Sequence, residues 1–138
     1  MIEPSQSDPG NEVVRLLLRC HQIEKELAGS AGLSVDEFYC ITQLYVLAPC
    51  CVKTLRELLG VSPTRASKLL HNLEVRGYLT RTLAFDDKRK ERVVLTSKGV
   101  TMARSLLQSC ALSYQRLLKA LPQDLTQLYE VTQTPEES

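Results

Sequence analysis

At 138 residues and 43% hydrophobic, the chain can bury one ordinary core, so a single domain is expected. No apolar run approaches the roughly 18 residues of a membrane span, and the polar, acidic first residues do not read as a secretory signal, so a cytoplasmic protein is expected. The formal net charge of +1 conceals a basic middle: residues 53–98 hold eleven Lys/Arg against five Asp/Glu, a local +6, and a local patch is what a polyanion feels.

Residues 1–10 read as a disordered lead and 133–138 as a polar tail, which leaves 11–132 as the domain. From Asn11, a candidate N-cap, the apolar residues Val13, Leu16, Leu17, Cys20, Ile23 and Leu27 recur at helical spacing until the glycines of 29–32. Ser34 then caps a helix over about 35–48, with Glu37 three residues on in the capping-box position. That helix is apolar on most sides (Phe38, Cys40, Ile41, Leu44, Tyr45, Leu47), which places it at the centre of the core. Pro49 ends it. Thr54 caps a short helix over 55–59, stopped by Gly60.

Ser62 caps the next helix, with Pro63 at the favoured first position and Gly77 as a natural end. Leu69, Leu70 and Leu73 form its inner face, leaving Thr64, Arg65, Lys68 and His71 outside. Two helices joined by a tight turn containing Gly, the second of them basic, make a helix-turn-helix. Residues 79–85 and 91–95 read as two strands around a charged tip at 86–90. Thr96 caps a long helix to about Ala120, and Pro122 opens a last one. The terminal helices, 11–33 and 100–132, carry more apolar surface than the core needs, which points to dimerisation, and 34–99 form the remaining lobe. A basic helix fits a major groove, and a basic hairpin tip reaches the minor groove beside it.

The segment from Leu55 through the Ser62-Pro-Thr-Arg-Ala-Ser-Lys-Leu-Leu-His71 run to Leu79, followed by Asp87-Lys-Arg-Lys-Glu-Arg-Val-Val-Leu-Thr96, resembles the MarR/SlyA family of winged-helix regulators. The second stretch fits that family's Asp-x-Arg-x-x-Arg-x-x-Leu-Thr wing at every fixed position, and the resemblance runs over about 12–131. It implies a mainly α fold with a small β-wing, in the order α-α-α-α-β-β-α-α. It also implies a homodimer that binds a pseudo-palindromic double-stranded operator, commonly as a repressor released by a small molecule or an oxidant.

Carried onto matching positions, Ser62, Thr64, Arg65, Ser67, Lys68 and His71 face the major groove. In the wing, Arg89 enters the minor groove between Lys88 and Lys90, Asp87 holds the loop, and Arg92 supports the wing or touches phosphate. Simpler roles stand beside these: N-cap for Ser62, turn residue for Asp87, solvated strand residue for Arg92.

Five cysteines without a secretory signal read as thiols. Cys20 and Cys110 lie on the apolar stripes and Cys40 in the central helix, where cysteine acts as a small hydrophobe. Cys50 and Cys51 follow Pro49 in an expected loop, with Lys53 and Arg56 nearby, so Cys20, Cys50 and Cys51 are the candidate redox-sensing residues. Peroxide-sensing relatives pair a first-helix cysteine with two second-helix tyrosines; Tyr39 and Tyr45 are present, but Phe38 occupies one tyrosine's register. Cys20, His21 and Glu24 lack the paired spacing of a metal site, and no cofactor motif is present. No glycine-rich phosphate loop or nucleophile elbow marks an enzyme. The alternative to a DNA reader is a winged-helix protein-interaction module without specific DNA readout.

Overall fold

A computed structural model describes residues 8–83 and 91–119. The elements are α1 (Pro9–Ser30), α2 (Val35–Leu47), β1 (Cys50–Cys51), α3 (Val52–Leu59), α4 (Pro63–Val75), β2 (Leu79–Leu83), β3 (Glu91–Leu95) and α5 (Ser97–Lys119). Residues 1–7 of the expected lead, the wing tip with Asp87, Lys88, Arg89 and Lys90, the helix at Pro122 and the tail at 133–138 lie outside the described residues.

α1 begins before Asn11. Asp8 is its cap, with Oδ1 accepting the Gly10 N–H at 2.8 Å, and proline follows at the first position. Asp and Asn cap equally well, and the proline favours the earlier start; residues 9–10 thus belong to the domain. α2 has the expected capping box: Ser34 Oγ accepts the Glu37 N–H at 3.1 Å, and Glu37 Oε1 accepts the Ser34 N–H at 2.9 Å.

Glu24 of α1 ties three helices together, accepting the phenolic hydroxyls of Tyr39 in α2 and of Tyr114 in α5, the latter at 2.8 Å. Burial, and then the Glu24 carboxylate, push both phenols above the usual tyrosine range. α2 is central, as expected, with Phe38, Cys40, Ile41 and Leu44 buried. Its last turn is not: Tyr45, Val46 and Leu47 are 38%, 70% and 42% exposed, and there Arg104 of α5 donates to the Tyr45 hydroxyl at 3.2 Å.

The segment after Pro49 departs from the expected loop. Cys50 and Cys51 form a short strand, Cys50 opposite Val93 and Cys51 opposite Arg92, in a three-stranded antiparallel sheet ordered β1-β3-β2. Cys50 is buried as a result. The chain passes directly from β1 into α3, so this helix starts at Val52 instead of at Thr54, and its cap residue, Cys51, makes no side-chain capping bond. α3 and α4 then form the helix-turn-helix, with Leu55 of α3 and Leu73 of α4 packed into the same core as Ile41, Leu44, Leu79 and Val93.

α5 is locked to the end of β3. Thr96 Oγ1 donates to the Gly77 carbonyl at 2.5 Å and accepts the Gly99 N–H at 3.1 Å, while the Thr96 N–H donates to the Tyr78 carbonyl at 3.0 Å. Gly99 permits this closure, since a Cβ there would fall 2.0 Å from the Tyr78 carbonyl oxygen. Among the described residues, no helix is long and apolar enough to cross a membrane.

Candidate nucleic-acid interface

α4 is a two-faced helix. Ala66, Leu69, Leu70 and Leu73 are buried, while Ser62, Thr64, Arg65, Ser67, Lys68 and His71 are all exposed on the other side. The six recognition-helix positions expected from the sequence therefore share one solvent-facing surface. Ser62 acts as the N-cap, its Oγ accepting the Arg65 N–H at 3.2 Å, which aims the first turn outward. Arg65 is not free on that surface: its guanidinium pairs with Asp36 in the first turn of α2.

The basic middle of the chain divides into two classes. Arg76 binds inward, Nη2 donating to the Gly32 carbonyl at 3.0 Å with Nη1 3.4 Å from Glu37. Arg81 lies between Glu74 and Glu91, 3.3 Å from each. Lys98 donates to the Arg76 carbonyl at 2.7 Å and sits 4.5 Å over the Tyr78 ring. These three cations hold the lobe together. Lys53, Arg65, Lys68 and Arg92 remain exposed, with Arg92 on β3 at the root of the wing. Charge counting along the sequence cannot separate the classes, because the acids that engage Arg76 and Arg81 include residues distant in the chain.

The cysteines are free thiols in unequal surroundings. Burial pushes the Cys40 thiol up to about 12. Burial also raises Cys50 and Cys110, and it raises Cys20 with further help from the Glu24 charge. Those shifts oppose thiolate formation at Cys20 and Cys50, two of the candidate redox residues. Cys51 is half-buried on the outer face of the sheet. Among the described residues, no group of three or more His, Cys, Asp or Glu is placed to hold a metal ion.

Sequence reasoning did not single out Asp36 as the partner of Arg65, and although it expected excess apolar surface on the terminal helices, it placed Leu17 with the inner stripe of α1 and named neither Val14 nor Leu18. Val14, Leu17 and Leu18 of α1 are 53%, 62% and 57% exposed, and Leu112 of α5 is 61% exposed. The signal for that face was present: positions 14, 17 and 18 fall at helical i, i+3, i+4 spacing, offset from the inner stripe.

Residues 31–90 match the MarR family model. The HTH-type transcriptional regulator PrsX of Escherichia coli is 24% identical over 108 residues, covering 77% of this chain and 65% of its own length, so the match spans slightly less than two thirds of that relative. The apo form of E. coli MarR superposes with a TM-score of 0.76 at 20% identity, covering 96% of each chain. An E. coli MarR variant in complex with operator DNA gives 0.71 at 20% identity, covering 91% of this chain and 93% of that one. The matched segment contains α2 to β2, the helix-turn-helix and the positions of the wing tip. The segment from α2 through β2 thus matches the MarR family model, and the chain shares the fold of E. coli MarR.

Proposed function

We propose that this chain is a homodimeric, sequence-specific double-stranded DNA-binding regulator, acting in the cytoplasm as a repressor that an effector releases. One observation carries the reading. Six polar or basic side chains, Ser62, Thr64, Arg65, Ser67, Lys68 and His71, form the outward face of a helix whose other face is anchored by leucines. A convex basic helix of this kind fits the major groove, and Arg92 extends the same charge toward the wing. The E. coli MarR variant solved with operator DNA, a protein of the same fold, supports DNA as the partner.

The exposed apolar residues of α1 and α5 support the dimer, in which a second copy covers Val14, Leu17, Leu18 and Leu112. Effector release draws support from an open cleft of about 480 Å³ where α5 meets the α4–β2 turn, lined by Tyr78, Lys98, Thr101 and Met102. Such a volume suits a small organic molecule.

Selection from a random duplex pool tests the reading. Recovery of a two-fold-symmetric consensus is expected, with Lys68→Ala weakening all sequences alike and Thr64→Ala altering preference within a half-site. A pool that yields no consensus, with weak sequence-blind binding, would instead favour the protein-interaction module.

A further inference from the structure

Cys51 and Arg92 are direct cross-strand partners in the β1–β3 pair, which sets their Cβ atoms about 4.5–5.5 Å apart on one face of the sheet. The adjacent pair, Cys50 and Val93, points the other way into the core, at 5% and 0% exposure. The Cys51 thiol therefore faces outward beside an exposed arginine. At the start of α3, Lys53 and Thr54, both exposed, join Pro49, Cys51 and Arg92 around an open cleft of about 480 Å³. Two cations, a hydroxyl and a thiol line that cleft, and none of its lining residues is acidic. The thiol makes no capping bond to α3.

From this arrangement we infer that Cys51 is a modification site for anionic low-molecular-weight disulfides of the glutathione-disulfide class, recruited by Arg92 and Lys53. The Cys51 sulfur, as thiolate, attacks one sulfur of the reagent. A new S–S bond forms to Cys51, the reagent's own S–S bond breaks, and the departing half leaves as a thiolate that takes up a proton. Cys51 is oxidised, the released thiol is reduced, and no other co-reactant is required. The remaining cysteines are poorly placed for this exchange. Cys40, Cys50 and Cys110 are buried, and Cys20 has the Glu24 carboxylate near it, which repels an anionic reagent. The consequence rests on the proposed DNA reading: the adduct sets carboxylates over Lys53 and Arg92, cations otherwise available to backbone phosphate.

The experiment treats the intact chain with glutathione disulfide, with cationic cystamine and with neutral hydroxyethyl disulfide. Rates are normalised to those on a short cysteine peptide, and adducts are mapped by mass spectrometry. One adduct per chain at Cys51 is expected, with glutathione disulfide ahead of cystamine by about tenfold or more at low salt. That advantage shrinks at high salt, Cys51→Ser abolishes the adduct, and Lys53→Ala with Arg92→Ala levels the three reagents while circular dichroism stays native. Modification of another cysteine in preference to Cys51, or equal normalised rates for the three reagents, overturns the assignment.

DNA binding is then measured separately on reduced and fully modified protein. Loss of binding on modification, reversed by dithiothreitol, supports the consequence, and unchanged binding overturns it. A reduced protein that binds no duplex counts against the DNA reading alone, because the mass spectra decide the modification site independently.

Discussion

Arg65 stands where folding and the proposed recognition meet. It lies on the outward face of α4, yet its guanidinium pairs with Asp36 of α2, the two side chains being 65% and 30% exposed. A pair so solvated contributes little to stability, about 0–1 kcal/mol. Its effect falls on the position of Arg65 and on the charge beside the groove face. Asp36→Ala should therefore leave the thermal midpoint almost unchanged, strengthen binding to random duplex, and narrow the gap between specific and random DNA. Anisotropy titrations on both duplexes check this, and a widened gap would contradict it.

Titration at the residue scale gives a second prediction. The buried Cys40 thiol is raised from 9.0 to about 12, and the Tyr39 and Tyr114 phenols are raised above their ordinary 10.0. In each case the unfolded group loses its proton first as pH rises, so the unfolded state binds fewer protons than the native one across that window. Stability is full below about pH 9 and falls as pH climbs through the Cys40 and tyrosine ranges. Urea midpoints at about pH 8 and about pH 10.5 should show the decline, and Cys40→Ala should lessen its slope. A midpoint that rises with pH would refute the assignment.

At the scale of elements, what the sequence made legible tracks how local each signal is. α2 and α4 carry complete local signals, a serine cap with Glu37 in one and with Pro63 in the other, followed by leucines at helical spacing, and both stand where expected. β1 has no such signal. Two residues are too few for an alternating pattern, and the strand exists because β3 offers a second edge. Once it forms, Cys51 becomes the helix boundary and Thr54 falls inside α3, which no capping rule anticipates from the chain alone. The outward face of α4 was legible for the same reason α4 was: its exposed positions follow from helix phase. The pairing of Arg65 with Asp36 and the meeting of Cys51 with Arg92 were not, because each joins residues distant in the chain.

The junction of β3 and α5 is the element contact least tolerant of change. Gly99→Ala would press a methyl group into the Tyr78 carbonyl. Backbone cannot yield as a side-chain tip can, so a loss of about 3 kcal/mol or more is expected, at or beyond the upper end for overpacking. Denaturant unfolding of the variant measures it, and a loss under about 1 kcal/mol would mean that the junction relaxes.

For the whole molecule, the basic groove face and the exposed apolar stripe of α1 belong to one design if the protein is a dimer. Two α4 helices held one turn of DNA apart bind with the effective concentration of a linked pair. Leu18, 57% exposed, lies on the stripe and away from the core. Leu18→Glu should keep the fold, shift the species seen by sedimentation velocity to monomer, and weaken operator binding by about a hundredfold. A variant that stays dimeric would move the interface elsewhere.

The most direct test of the central claim, that α4 of a dimer reads double-stranded sequence, is an anisotropy titration of the unmodified protein. It uses a duplex selected from the random pool and a scrambled control, across a range of salt with excess competitor. Two chains should bind per duplex and resist competitor, with log affinity falling against log salt by about 0.9 per phosphate contact. Equal affinity for selected and scrambled duplexes at every salt concentration would contradict the claim.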